Sequence, residues 1–234
     1  MNNFIPLVSA IIPALFLVRY FYLKDVNKPE PIKLIIKIFI IGILSIIPVI
    51  FIELIISAII QPLISNILIY SFLNAFIVAG LCEETIKLMI IRFFIYNNKH
   101  FDEIMDGIVY TIVASLGFAC FENIMYVANG GLSIAIIRSF TAIPLHAFCS
   151  GIMGYYIGKS KFAKKDSNQY ILKGLGIAIL IHGSYNFVLM ASPYYNPFYS
   201  LLIFPILFIS YKKLKLHIDT AVKKDKENNI LSSG

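Results

Sequence analysis

Seven stretches of this chain are long and apolar enough to cross a lipid bilayer, roughly residues 4–22, 34–60, 67–94, 104–128, 132–158, 170–191 and 197–214. A spanning helix needs about 20 mostly apolar residues, because hydrocarbon offers the backbone no hydrogen-bonding partner but itself. The expected fold class is therefore all-α, a polytopic membrane helical bundle of about seven transmembrane helices. Composition agrees, with 59% hydrophobic and only 14% charged residues and a mean hydropathy of +0.81. Soluble domains carry about 25% charged residues. The connections are short and no repeat is visible, so one transmembrane domain is expected over 1–215. A short basic tail, 216–234, reads as soluble and mobile.

Charge alternates between the connections. Lys24, Lys28 and Lys33 lie between the first two stretches, Arg92 and Lys99 in the third connection, and Lys159, Lys161, Lys164 and Lys165 in the fifth. The second, fourth and sixth connections (QPLISN, ANGGLS, SPYYNP) carry no charge. The positive-inside rule then places the N-terminus outside and the C-terminus in the cytoplasm, which an odd number of spans satisfies. Basic residues confined to one membrane face are attracted by anionic headgroups, so the bilayer is the expected partner and nucleic acid is not. The N-terminus lacks the basic start of a cleavable signal, so the first stretch reads as retained. Cys82, Cys120 and Cys149 are odd in number, without CxxC spacing, and read as buried hydrophobes. Oligomeric state leaves no mark.

Ionisable groups inside a bilayer cost several kcal/mol and need a reason. Away from the ends of their stretches lie Glu53, Glu83, Glu84, Lys87, Glu122, Arg138, His146 and His182. Glu83 and Lys87 are four apart with the glutamate first, the favourable order for a helical pair, and Glu84 is three before the same lysine. One lysine neutralises one of two adjacent carboxylates, which leaves the other available as a base. An isolated pair would read as an assembly contact between helices; a doubled glutamate reads as functional. Phe118 and Glu122 share a face at i, i+4, His146 follows Pro144, and His182 shares a face with Asn186. Counted along each helix at ~1.5 Å per residue, His146 and His182 both lie about 18 Å from the basic ends of their stretches. Glu83 comes out at about 14 Å and Glu122 at about 26 Å.

Missing residues exclude several intramembrane chemistries: the chain has no HExxH, no GxGD and no GxSG. Cys149 or Ser150 beside His146, and Cys82 beside the glutamates, are nucleophile arrangements without an orienting third group. Carboxylate-and-histidine chemistry on water remains. In one form a glutamate takes the proton of water while histidine and asparagine hydrogen-bond the developing oxyanion. In another, His146, His182 and Glu83 hold a zinc ion that activates the water. A non-catalytic immunity or sensor role, or a proton relay in a transporter, would use the same cluster; against the transporter, no internal repeat is visible.

The motifs EETIK (Glu83–Lys87), FACFE (Phe118–Glu122), LHAFCSG and HGSYN (His182–Asn186) occur in this order on successive stretches. Together they resemble the PrsW family of bacterial intramembrane proteases, part of the wider group that contains CAAX prenyl proteases and bacteriocin-processing enzymes. The resemblance runs from about Ala79 to Asn186. It implies a glutamate-type intramembrane endopeptidase of the bacterial cell membrane, with no cofactor. The implied substrate is a membrane-anchored, single-pass anti-sigma factor, whose first (site-1) cleavage leads to activation of an extracytoplasmic-function sigma factor. By the same resemblance Glu83 is the water-activating base, Glu84 supports it and Lys87 balances charge. His182 and Asn186 form the oxyanion site, and either Glu122 or His146 assists Glu83. The lysine four after Glu83, and Glu122 where the prenyl proteases carry histidine, favour the PrsW branch.

Overall fold

A computed structural model describes residues 4–232, and among them no strand occurs. The helices are α1 (Phe4–Tyr22), α2 (Ile32–Leu44), α3 (Ile46–Ile60), α4 (Ile67–Leu73), α5 (Cys82–Phe94), α6 (Ile104–Phe140), α7 (Ala142–Phe162), α8 (Ser167–Tyr195) and α9 (Ile203–Ser232). A π-helical segment, Asn74–Leu81, joins α4 to α5, and a 3-10 segment, Pro197–Leu202, precedes α9. The protein is an all-α, polytopic membrane bundle. Among the described residues four helical stretches are long and apolar enough to cross a membrane: Ile32–Ile60, Ile67–Phe94, Ile104–Phe162 and Ser167–Tyr195. Large apolar side chains such as Phe16, Phe51, Phe93, Leu172, Phe204 and Ile209 face outward. On a soluble monomer they would be a liability; in lipid they are the expected coat.

The helix ends follow local chemistry. Pro48 has no N–H to offer the Leu44 carbonyl, and the helix breaks at Ser45, whose hydroxyl donates to the Gly42 carbonyl at 2.7 Å. Asn66 caps α4, its side-chain oxygen accepting from the amides of Leu68 and Ile69 at 3.0 and 3.1 Å. Glu103 and Asp106 cap α6 reciprocally. Asp225 of α9 accepts from the amides of Ile104 and Met105, both at 2.9 Å, and so satisfies two more of the donors a helix start leaves unpaired.

Helix α6 is the axis of the bundle. From Ile104 to Cys120 every residue is buried, against α1 and α2 on one side and α7 on the other. Contact with α7 is backbone to backbone: a Cβ on Gly107 would lie 2.5 Å from the Gly154 carbonyl oxygen and 2.7 Å from the Gly158 nitrogen. Neither backbone can yield without moving a whole helix, so Gly107→Ala is expected to destabilise the bundle by about 1–3 kcal/mol. The measurement is the folded fraction of the variant during an SDS titration.

Two segments depart from the sequence reading. The stretch 132–158 is not one helix. Gly131, at φ +68°, takes a conformation that side-chain-bearing residues rarely adopt, and the chain reverses there. Ala135 then packs beside Val127 and Ala10, and a second break at Thr141 precedes α7. The tail expected to be soluble and mobile instead continues α9 as helix to Ser232. Leu214, Ile218, Ala221 and Asp225 recur at four-, three- and four-residue steps and are all buried, which makes one packed face.

Candidate active site

The elements above bring five of the seven sequence-predicted site residues to the wall of one cavity, and the other two into direct contact with them. A cavity of about 510 Å³ opens between α3, the π-helical segment, α5, α6, α7 and α8. Glu83, Glu122, His146, His182 and Asn186 line it, together with Glu53, Asn74, Tyr126, Arg138 and Tyr185. Glu84 and Lys87 lie behind that surface, fully buried.

Lys87 is the hub. Its ammonium donates to Glu83 Oε2 at 3.0 Å, to Glu84 Oε1 at 2.8 Å and to His146 Nδ1 at 3.0 Å. It also sits 4.7 Å from the centre of the Phe118 ring. An ammonium has three protons and no lone pair, so all three hydrogen bonds run outward from it. His146 therefore accepts at Nδ1 and carries its proton on Nε2, which donates to Glu122 Oε2 at 3.0 Å. Arg138 Nη2 reaches the same oxygen at 2.8 Å, while its Nε donates to Asn123 at 2.9 Å. This contact exists because the chain reverses at Gly131.

Glu84 is used up by its neighbours. Oε1 accepts from Lys87 and from His182 Nδ1 at 2.9 Å; Oε2 accepts from the Ser150 hydroxyl at 2.8 Å. The Cys149 thiol lies 3.7 Å from Oε1. With its Nδ1–H on Glu84, His182 turns Nε2 toward Glu83 Oε1, 3.8 Å away. That separation is too long for a direct hydrogen bond, and both groups are within reach of one water beside them. The His146 and His182 rings meet edge to face at 5.0 Å.

Cys149 and Ser150 donate to a carboxylate and do not line the cavity, and the Cys82 thiol donates to the Ile77 carbonyl at 3.4 Å. None is placed as a nucleophile. The depths counted along the helices put Glu83 and Glu122 well apart, whereas His146 contacts Glu122 at 3.0 Å and lies 3.9 Å from Glu83. A count along each helix takes no account of how neighbouring helices tilt or are offset, so it does not fix which side chains meet. Arg138 and Glu53 were visible as charges in apolar stretches; their place on the cavity depends on tertiary packing.

By type the cluster suits zinc: one donor atom each from Glu83, Glu84, His146 and His182 lies within 4.8 Å of the others. By arrangement it does not. Lys87 occupies one oxygen of each glutamate and the only lone pair of His146, Ser150 donates to the other oxygen of Glu84, and His182 Nδ1 is a donor. Glu83 Oε1 and His182 Nε2 remain, one short of the three protein ligands that catalytic zinc uses.

Comparison with known proteins joins this geometry to a family. Residues 30–210 match the model described as "PrsW family intramembrane metalloprotease". "Protease PrsW" of Geobacillus kaustophilus (strain HTA426) is 35% identical over 89% of this chain and 91% of its own. Proteins of the same name from Oceanobacillus iheyensis and Clostridioides difficile (strain 630) are 40% and 37% identical, over 78% and 77% of this chain and 82% and 77% of theirs. No solved structure matches. The chain belongs to the PrsW family of intramembrane proteases, and is a peptidase carried as a multi-pass protein in a bacterial membrane.

Proposed function

We propose that this peptidase is of the glutamate type and makes the site-1 cut in a single-pass, membrane-anchored anti-sigma factor, the step that leads to sigma factor activation. One observation carries the mechanism: Glu83 offers the cavity a carboxylate oxygen that Lys87 does not hold, opposite His182 Nε2. Glu83 takes a proton from a water, whose oxygen attacks the scissile carbonyl carbon. The proton then goes to the leaving nitrogen as the C–N bond breaks. Asn186, and His182 when protonated at Nε2, line the cavity as donors for the oxyanion. Glu84 orients His182 through Nδ1, and Glu122 orients His146. The substrate class rests on the family resemblance; a cavity walled by membrane helices suits a membrane-embedded peptide.

Candidate anti-sigma factors tagged at both ends, co-expressed with the wild type or with Glu83→Gln, test the reading. Fragments are expected with the wild type alone. Equal cleavage by both proteins sinks the catalytic assignment, and cleavage of other membrane proteins but of no anti-sigma factor sinks the substrate class. The lysine-occupied donor set also implies that purified protein keeps its activity after treatment with a zinc-selective chelator. Activity lost to the chelator and restored by zinc would overturn the metal-free mechanism.

A further inference from the structure

A second carboxylate cluster lies inside the protein where α6 begins. Asp25 comes from the α1–α2 connection, Glu103 from the α5–α6 connection and Asp106 from the first turn of α6. All three are buried, and one oxygen of each lies within 4.8 Å of the other two. Glu30, also buried, stands beside them and accepts from the Tyr110 hydroxyl. Along α6, Asp106 is sixteen residues before Glu122, about 24 Å. The cluster is separate from the active site.

Most of these acids have a local reason. Glu103 and Asp106 cap α6, and Asp225 holds the next two amides. Asp25 has none. It is 2% exposed, and neither of its oxygens has a partner at hydrogen-bonding geometry, although the Lys28 amide lies close enough to favour its charged form slightly. Neighbouring cations are engaged elsewhere: Lys28 pairs with Asp102, and Lys161 donates to the Tyr96 carbonyl. Glu103 and Glu30 are the charges nearest to Asp25, and both are acidic. A buried carboxylate among like charges calls for a counter-ion.

We propose that Asp25, Glu103 and Asp106 bind a hard divalent cation, calcium or magnesium, which ties the α1–α2 connection to the start of α6. The donors are all carboxylate oxygens, which such cations prefer and zinc or copper sites seldom use alone. The three oxygens lie within 4.8 Å of one another, close enough for one cation to draw all three to bonding distance through small side-chain shifts. The cation anchors the base of the helix that carries Phe118 and Glu122, and its effect is on stability, not on the chemistry at Glu83.

The test uses the full chain in detergent, stripped of metal. Manganese binding is followed by electron spin resonance, and melting is followed with added calcium or magnesium. The wild type is expected to bind manganese saturably, to release it to calcium or magnesium, and to melt higher with the cation; whichever ion competes better identifies the natural one. Asp25→Asn, which loses no hydrogen bond, is expected to weaken binding by more than about tenfold and to abolish the melting shift. Glu83→Gln is expected to keep both. The proposal fails if the wild type shows no saturable binding, if Asp25→Asn binds as the wild type does, or if Glu83→Gln removes the binding. Because the first of these needs no variant, misfolding of Asp25→Asn does not shelter the proposal.

Discussion

Glu83→Gln is expected to lower cleavage by on the order of 10³-fold while leaving the protein folded. The amide keeps the shape of the carboxylate and can still accept from Lys87 through its oxygen, so the hub loses one charge and no volume. What it cannot do is take a proton from water. Glu84→Gln makes the useful contrast. Glu84 accepts from Lys87, His182 and Ser150 and does not line the cavity, so its amide would turn an N–H toward a donor and disturb the packing as well as His182. That variant should lose stability and activity together. Single-turnover cleavage of a purified substrate, beside SDS unfolding of each variant, separates the two glutamates; equal stability losses would mean that neither is reserved for chemistry.

Lys87→Met is expected to be the most damaging single change to the fold. The ammonium is fully buried and neutralises one of two buried, adjacent carboxylates. Removing one partner of such a group costs roughly 3–5 kcal/mol, because charge is left without compensation in a medium that solvates it poorly. It also frees His146 Nδ1, and with it the tautomer that directs Nε2 to Glu122. The double variant Lys87→Met with Glu84→Gln returns the cluster to its original net charge. It should recover folded protein, measured by yield and SDS resistance, without recovering cleavage. Failure of the double variant to regain stability would place the cost in lost packing against Phe118 instead of in charge.

The parts of this architecture that depend on the chain's own neighbourhood were legible in its sequence. Apolar stretches announce membrane helices, and Glu83, Glu84 and Lys87 at i, i+3, i+4 spacing must meet on one helix. Histidines in apolar stretches pointed to the cavity that they do line. Features needing two distant segments were not legible. Arg138 reads as a stray charge until Gly131 turns the chain back on Glu122. Cys149 reads as a buried hydrophobe, and Ser150 beside His146 lacks an orienting third group; that both serve Glu84 on another helix shows only in the fold. The packed face of the tail was present as Leu214, Ile218, Ala221 and Asp225, but a lysine-rich surround outweighed it in any reading by composition.

The wide turns between Asn74 and Leu81 bear on which of two neighbouring glutamates meets water. A π-helical hydrogen bond reaches one residue further than an α-helical one, so this segment holds extra chain in its turns. Each residue advances an α-helix by about 100°, and Glu83 and Glu84 therefore point into adjoining sectors, one to the cavity and one to α7 and α8. Advance the helix by one residue and Glu84 takes the cavity, while a threonine stands where His182 needs a carboxylate. The π-helical segment, packed on the helix that carries His182, works as a vernier: it sets the angular phase of α5 and so assigns chemically identical side chains to different tasks.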